Sequence, residues 1–104
     1  LYLHHSLSST NSEAMVLAQS GAEDGTVVVA ESQSAGRGRQ TRTWFSPPGL
    51  NLYCSIIVRG VGRGLSLADW LSWVPLTTAL AVAEAVQEVA ATSVALKWPN
   101  DLLL

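Results

Sequence analysis

The fold is decided by the run Thr26-Val-Val-Val-Ala-Glu31 and the segment behind it, Gln33-Ser-Ala-Gly-Arg-Gly-Arg-Gln-Thr-Arg-Thr-Trp44. The run is β-branched and almost wholly apolar, which predicts a strand covered on both faces. The segment carries three of the six Lys and Arg residues of the chain. Cationic side chains this close together repel one another unless they meet an anion. The pattern therefore predicts a buried strand that leads into an anion-binding loop.

The residues before this strand predict a strand and a helix. Residues 1–7 place apolar side chains at period two, which is typical of a short strand. Thr10-Asn-Ser-Glu13 matches a capping box, so a helix is expected from about 11 to 20, closed by Gly21.

The second half of the chain predicts two more strands around a long helix. A turn at 46–49 precedes a strand from about 51 to 59, and the glycines of 60–64 predict a flexible connection. Pro75 suits the first turn of a helix, and a strand over 94–98 follows. The helix is supported by apolar residues that recur three and four apart: Leu76, Ala79, Leu80, Ala83, Val86 and Ala90.

The predicted order β-α-β-β-α-β favours an α+β fold, a mixed sheet with helices packed on one side. With 104 residues, 48% of them hydrophobic, the chain has the size of one modest domain. Its charge-free window from Trp70 to Ala83 is shorter than the roughly 20 residues of a membrane helix, so no membrane association is expected. The apolar run at 102–104 reads as a strand that begins where the chain stops, so we expect a piece of a larger protein.

The single cysteine indicates a cellular compartment. Cys54 lies in the apolar run Leu52–Val58, which predicts a small buried side chain. One cysteine forms no internal disulfide, so a reducing, cytoplasmic setting is the easier fit.

Two phosphate-binding motifs are disfavoured in the cationic segment. No Gly-Lys-Ser/Thr run exists for a P-loop. A dinucleotide fingerprint would need a third glycine where Thr41 stands. Between Ser32 and Ala68 there are nevertheless five arginines and no acid, in a chain of net charge −2. A small anion and nucleic-acid phosphate both remain open, and the pI of about 5.5 favours the small anion.

Several segments, in order and in register, resemble the biotin-protein ligase family. They are Ser9–Asn11, Ala30–Arg39, Trp44–Gly49, Asn51–Ser55 and Lys97-Trp-Pro-Asn-Asp101. The resemblance implies the front part, residues 1–104, of a catalytic domain whose C-terminal half and small C-terminal domain are missing. A fragment of this kind is expected to be inactive alone. Where the family usually has Arg-Gly, this chain has Gln40 and Thr41, which removes one charge and one glycine.

The resemblance implies an enzyme that activates biotin with ATP, giving biotinyl-5′-AMP. Biotin then passes to a lysine of the biotin carboxyl carrier protein of acetyl-CoA carboxylase or of a related carboxylase. Mg²⁺ is expected with ATP, although no ligand cluster is legible and Asp101 reads as a turn residue. No nucleic-acid partner is expected for this segment, and a homodimer is left open. The alternatives are a lipoyl or octanoyl transferase of similar fold and a non-catalytic biotin-binding fragment.

The resemblance also implies the site residues. Those for biotin are Ser9, Thr10, Asn11, Gln33, Gly36, Arg37, Gly38, Arg39 and Lys97. Those for ATP and the adenylate are Arg39, Arg42, Trp44 and Lys97, and those for catalysis are Lys97 and Arg39. Ordinary roles compete with these: Thr10 and Asn11 could only cap a helix, and Lys97 could be a solvated strand-edge lysine. The loop over 34–43 is expected to be mobile until ligand orders it.

Overall fold

The computed structural model describes residues 1–60, 64, 66–99 and 101–104. The chain divides into two compact units, Leu1–Arg59 and Gly60–Leu104. Most of the connection expected at 60–64, and Asn100 in the turn expected before Asp101, lie outside the described residues.

The first unit is a mixed three-stranded sheet, one helix and a separate hairpin. Its elements are β1 (Tyr2–His4), α1 (Thr10–Gln19), β2 (Val27–Ala30), β3 (Gln33–Arg37), β4 (Thr43–Ser46) and β5 (Tyr53–Ile56). The sheet order is β1-β2-β5, with β1 parallel and β5 antiparallel to β2. The predicted α+β class with a mixed sheet is confirmed.

The core of this unit lies between α1 and one face of the sheet. Ala14, Val28 and Ile57 are buried together there. Leu7, Leu17, Ala18 and Ala22 surround this cluster. Because successive strand residues point to opposite faces, only alternate residues of β2 can meet α1.

This alternation corrects two predictions. The strand β2 is not fully covered on both faces, since Val28 and Ala30 are buried while Val27 and Val29 are half-buried. Cys54 was predicted to be buried and is exposed. It pairs with Val29, one register position away from Val28 and Ser55, so it lies on the face opposite the core.

The helix α1 begins at Thr10 with Ser9 as its N-cap, and the Ser9 side chain makes no capping bond. The predicted capping box is therefore wrong, because Thr10 is inside the helix and its hydroxyl bonds to Gln33. The predicted end is confirmed: Gly21 has a φ of +90° just beyond the helix.

The second unit contains α2 (Leu67–Ala90) and the antiparallel pair β6 (Ala95–Lys97) and β7 (Asp101–Leu103). The start predicted at Pro75 is wrong. The helix begins eight residues earlier, where the Ser66 hydroxyl accepts a bond from the Asp69 N–H at 3.1 Å. The first turn of the helix therefore carries the acidic Asp69. A negative charge there is stabilised by the partial positive charge of the helix N-terminus. Of the helices described, neither combines the length and apolar character that a membrane crossing needs.

Candidate functional site

The cationic segment forms a β-hairpin, not the loop predicted from its glycines and arginines. Strand β3 pairs antiparallel with β4, with Gln33 opposite Ser46 and Arg37 opposite Thr43. The backbone of β3 is also anchored to the chain before α1, since the Ser34 N–H bonds to the Leu7 carbonyl at 3.0 Å. The segment is therefore held by backbone bonds to β4 and to the chain before α1.

The tip of the hairpin is a tight turn at Arg39–Arg42. The Arg42 N–H bonds to the Arg39 carbonyl at 3.3 Å, and the Gly38 N–H bonds to the Arg42 carbonyl at 2.6 Å. Gln40 and Thr41 have φ angles of +55° and +61°, the signature of a type I′ turn. A β-branched residue is costly in this left-handed region. The turn is thus strained at Thr41, and it sets Arg39 and Arg42 at its two ends.

Two glycines of the hairpin lie in close contact with residues of β4. A Cβ atom on Gly36 would lie 2.7 Å from Ser46 Oγ and 3.0 Å from the Trp44 carbonyl oxygen. A Cβ atom on Gly38 would lie 2.7 Å from Nε1 of Trp44. Trp44 therefore covers the Gly38 end of the hairpin.

The arginines do not form one anion-binding group. A guanidinium N–H of Arg37 donates to the Ser12 hydroxyl of α1 at 2.5 Å. The Arg59 guanidinium instead donates to the carbonyls of Ala22, with its Nε at 2.9 Å, and of Ala18 at 2.9 Å. These carbonyls lie at and just beyond the C-terminal end of α1, where a cation is favourable. Arg59 is therefore a helix cap.

A polar network joins α1, the hairpin and the sheet. The Gln33 side-chain oxygen accepts from the Thr10 N–H at 2.8 Å and from the Thr10 hydroxyl at 3.1 Å. The Thr10 hydroxyl also lies 2.9 Å from Ser55 Oγ. The Gln33 amide nitrogen donates to Ser46 Oγ at 3.2 Å. Thr10 and Ser46 are buried. We call Thr10, Gln33, Ser46 and Ser55 the hydroxyl–amide network.

The other predicted residues of the α1 N-terminus differ in placement. Ser9 is buried directly before Thr10, and Asn11 is exposed. The structure thus brings Thr10 and Gln33 into contact, with Ser9 beside them, whereas Asn11 lies at the surface.

Lys97 closes β6 in the second unit. Its Nζ lies 3.7 Å from Asp101 Oδ2 across the β6–β7 pair, and about two thirds of the Lys97 side chain is exposed. An exposed pair of this kind contributes about 0–1 kcal/mol, so Lys97 can exchange Asp101 for a ligand anion at little cost. Both residues border a small cavity of about 100 Å³ whose other walls are apolar: Leu76, Ala79, Leu96, Trp98 and Pro99.

Ser46, Ser55 and Arg59 were missed as structural partners of the site. Ser55 carried a readable signal, because it is a polar residue on the core-facing register of an otherwise apolar strand. Within the described ranges, no group of three His, Cys, Asp or Glu residues is placed to hold a metal ion.

The first unit thus combines a cationic hairpin and a neutral hydrogen-bonding network on an α+β frame. The sequence model of the biotin/lipoate A/B protein ligase family matches residues 3–104. The chain belongs to this family.

The chain is similar to several named proteins of this family. The chain is 40% identical, over its whole length, to the bifunctional ligase/repressor BirA of Bacillus subtilis, of which it covers 31%. It is 41% identical to the biotin–[acetyl-CoA-carboxylase] ligase of Mycobacterium tuberculosis over 91% of the chain and 36% of that protein. The chain thus spans about a third of the length of these relatives.

Solved structures agree with this placement. The biotin protein ligase of Leishmania major in complex with biotinyl-5-AMP superposes with a TM-score of 0.81 at 33% identity. The match covers 98% of this chain and 46% of that one. The biotin protein ligase of Aquifex aeolicus with biotin and ATP gives a TM-score of 0.76 at 32% identity, over 98% and 40% of the two chains.

Proposed function

We propose that the protein is an ATP-dependent biotin ligase. It activates biotin to biotinyl-5′-AMP and transfers the biotinyl group to a lysine of a biotin carrier protein. The observation that carries this proposal is the dual character of strand β3. Gln33 at its start belongs to the neutral hydroxyl–amide network, and Arg37 at its end precedes the cationic turn at Arg39–Arg42. Biotin has the same two parts, a neutral ureido ring and a carboxylate.

The neutral part of the site suits a ring that must be hydrogen-bonded when it is buried. A buried N–H or C=O without a partner costs about 1–3 kcal/mol, so a ureido ring needs hydroxyl and amide groups around it. Thr10 and Gln33 supply such groups, and Ser9 is buried next to them. We assign the ring to this side of the hairpin. Asn11 is assigned to the outer rim because it is exposed.

The cationic part suits the reaction. A biotin carboxylate oxygen attacks the α-phosphorus of ATP, the bond from that phosphorus to the β-phosphate oxygen breaks, and pyrophosphate leaves. Two unit charges about 4 Å apart repel by about 4 kcal/mol at an effective dielectric of 20, so fixed cations lower this barrier. Arg37 and Arg39 are assigned to the carboxylate and the activated phosphate, and Gly36 and Gly38 permit the close β3–β4 packing that positions these arginines.

Arg42, Trp44 and Lys97 are assigned to the nucleotide side. Trp44 is exposed and lies over Gly38, so it offers an aromatic face at the cationic turn. Lys97 is assigned to the junction of carboxylate and phosphate, and Arg39 and Lys97 act as the catalytic cations. Neither forms a covalent intermediate, because positioning and charge stabilisation suffice for this type of transfer.

Mg²⁺ is expected to enter with ATP. This ion usually binds through substrate phosphates and one or two carboxylates. Asp101, the first residue of β7, has its Oδ2 3.7 Å from Lys97 Nζ, so it is the carboxylate that we assign to this ion. When bound, the ion would neutralise charge on the leaving pyrophosphate.

The second half-reaction needs a protein partner. The lysine amine of the carrier attacks the biotinyl carbonyl carbon, and AMP leaves. We propose the carrier domain of a biotin-dependent carboxylase as that partner, in the cytoplasm. The names of the relatives, which include biotin–[acetyl-CoA-carboxylase] ligases, support this class of acceptor.

A lipoyl or octanoyl transferase is the main alternative, since the family description covers both ligand classes. The biotin ligases among the relatives and solved structures favour biotin. A ureido ring can in addition bond to hydroxyl and amide groups of the network, whereas a dithiolane ring or an alkyl chain has no N–H or C=O for them. A non-catalytic biotin-binding role would not use Lys97 as the catalytic cation that we assign it to be.

The test is biotin-dependent exchange of pyrophosphate into ATP by the full-length protein. We expect the wild type to exchange pyrophosphate only when biotin is present. The exchange rate should be about 100-fold lower for Arg39→Gln and for Lys97→Ala, because each removes a cation that stabilises the transition-state charge. Arg59→Gln is the matched control, since it removes an arginine that caps α1. Exchange that needs no biotin, or equal loss in all three variants, would overturn the proposal.

A further inference from the structure

Strand β3 bonds to α1 at both of its ends. Gln33, its first residue, bonds to Thr10 within the hydroxyl–amide network. Arg37, its last residue, donates from a terminal guanidinium nitrogen to the Ser12 hydroxyl at 2.5 Å. Thr10 and Ser12 both lie in the first turn of α1. The two contacts differ in one respect, because only the second holds a charged side chain.

The position of Arg37 does not favour folding. A helix N-terminus carries a partial positive charge, so a cation beside it is repelled. Arg59 has the opposite and favourable arrangement, since it donates to the carbonyls of Ala18 and Ala22 at the C-terminal end of the same helix. Arg59 therefore stabilises α1, whereas Arg37 is held at the end of α1 where its charge is unfavourable.

Most of the hydrogen-bonding capacity of Arg37 stays available to a ligand. A guanidinium carries five N–H donors, and the bond to Ser12 uses one of them. Glu13 stands in the same turn of α1, yet among the residues that the structure describes no carboxylate forms an ion pair with Arg37. The guanidinium and the helix N-terminus both favour a negative charge beside them. Arg37 is therefore suited to an anionic group that comes from outside the chain.

Ser12 gives this cation a fixed orientation. Arg37 is exposed, so packing restricts its side chain little, and an unrestrained arginine loses conformational entropy when a ligand fixes it. Ser12 is half-buried on a helix, so its hydroxyl stays in one place. Guanidinium N–H groups only donate, so the Ser12 oxygen is the acceptor in this bond. Part of the entropy cost of ordering Arg37 is thus met before a ligand arrives.

We infer that Ser12 is a positioning residue, which orients Arg37 toward the carboxylate of the substrate acid before that acid binds. This inference rests on the proposed function and deepens it, since Arg37 is assigned there to the carboxylate and the activated phosphate. Ser12 acts on the charged end of the ligand through Arg37. Its effect is therefore separate from the bonds that hold a neutral ring.

The experiment combines protein variants with a charged and an uncharged ligand in the full-length protein. The variants are Ser12→Ala, Ser12→Thr, which keeps the hydroxyl, and Arg37→Gln, alone and together with Ser12→Ala. Ser20→Ala is the matched control, because it removes a hydroxyl at the C-terminal end of α1. The ligands are biotin and biotinol, the alcohol that keeps the ring and the chain and lacks the carboxylate. Calorimetry gives their dissociation constants.

We expect Ser12→Ala to weaken the binding of biotin about three- to tenfold and to leave the binding of biotinol within about twofold of the wild type, because only biotin offers Arg37 a charge. Ser12→Thr and Ser20→Ala should bind both ligands like the wild type. In the Arg37→Gln background, Ser12→Ala should have no further effect, since no guanidinium is left to orient. Such non-additivity shows that the two residues act through one contact.

Ser12→Asp separates positioning from a purely structural role. An aspartate in the first turn of α1 pairs with Arg37 and complements the helix N-terminus, so the Tm of the full-length protein should rise by about 1–3 °C. The same pair occupies the guanidinium, so the binding of biotin should weaken by about tenfold and that of biotinol should not change. A structural role alone predicts no loss of binding in a more stable variant.

Three results would overturn the inference and leave the proposed ligase intact. They are equal losses for biotin and biotinol in Ser12→Ala, no loss for either ligand, and the same loss in the Arg37→Gln background as in the wild type. Absence of biotin-dependent pyrophosphate exchange in the folded wild type would instead overturn the proposed function.

Discussion

At the scale of single residues, the packing of the hairpin depends on two glycines, because a Cβ atom at either position would collide with a neighbour. Gly36 and Gly38 stand two positions apart on the hairpin, and both would bring an added Cβ to 2.7 Å from a neighbour. The neighbours differ in freedom. Gly36 meets a buried hydroxyl and a backbone carbonyl, whereas Gly38 meets the exposed indole of Trp44, which can swing away.

We therefore predict that Gly36→Ala destabilises the protein by about 1–3 kcal/mol, because the hairpin strands must separate. Gly38→Ala should cost less than about 1 kcal/mol, since only an exposed side chain moves. Urea denaturation of the two variants in parallel measures the difference. Equal destabilisation would show that Trp44 is as rigidly held as the β4 backbone.

Arg59 supports a second prediction at this scale. Its guanidinium bonds to Ala18 and Ala22, and its backbone N–H bonds to Asp24 Oδ1 at 2.8 Å. Arg59→Met keeps the aliphatic stem and removes these charged donors, so the free energy of unfolding should fall by about 1–2 kcal/mol.

KM for biotin of the Arg59→Met protein should stay unchanged, because the cap lies at the opposite end of α1 from Thr10. Thermal unfolding and pyrophosphate exchange on the same preparation test both halves of this prediction. A stable variant with a raised KM would contradict the role as a cap.

At the scale of elements, the helices and strands that have a local periodicity could be predicted from the sequence. The strands that form only by pairing with another segment could not. The strand at 27–30 and the apolar stripe of α2 were legible because each repeats its own period. The sequence does not indicate the hairpin, because its small and charged residues show no alternation and β3 is held by bonds from Ser34 and Ala35 to the distant Leu7 and Ser8 carbonyls. The predicted start of α2 at Pro75 is wrong because the Ser66 hydroxyl caps the helix at Asp69, ahead of the apolar stripe that Pro75 precedes.

The hydroxyl–amide network could not be predicted from the sequence either, because it also depends on contacts between distant residues. The Thr10–Ser55 contact spans 45 residues and the Thr10–Gln33 contact 23, and no local pattern predicts a contact at such separations. Thr10 and Gln33 entered the predicted site only through the family resemblance. Their actual contact, and the roles of Ser46 and Ser55, required the fold.

The turn of the hairpin carries a prediction at this scale. Gln40 and Thr41 hold left-handed backbone angles that an Asn-Gly pair adopts with less strain. The double substitution Gln40→Asn with Thr41→Gly should stabilise the turn by about 1 kcal/mol. Amide exchange of Gly38 and Arg42, whose N–H groups close the turn, should slow by roughly fivefold. Faster exchange would mean that the threonine is the less strained residue there.

The ordering of residues 34–43 by ligand stays a prediction. The same exchange experiment on the wild type, with and without biotin and ATP, measures it. Unchanged exchange across the hairpin on addition of both ligands would contradict it.

At the scale of the whole molecule, the charged and the uncharged residues of the site lie in different parts of the first unit. The cationic turn at Arg39–Arg42 is exposed, and the hydroxyl–amide network is largely buried and uncharged. Salt screens exposed charges, with a Debye length that falls from about 10 Å at 0.1 M to about 3 Å at 1 M. Raising ionic strength should therefore raise KM for ATP several-fold more than KM for biotin, measured by exchange in KCl. A larger rise in KM for biotin would contradict this division.

The central claim is that this site activates a cyclic urea acid and not a dithiolane acid. The most direct measurement incubates the full-length protein with ATP, Mg²⁺ and equal concentrations of biotin and lipoate, and identifies the adenylates by mass spectrometry. The account predicts biotinyl-5′-AMP with no lipoyl-AMP above background. Lipoyl-AMP as the main product would contradict it.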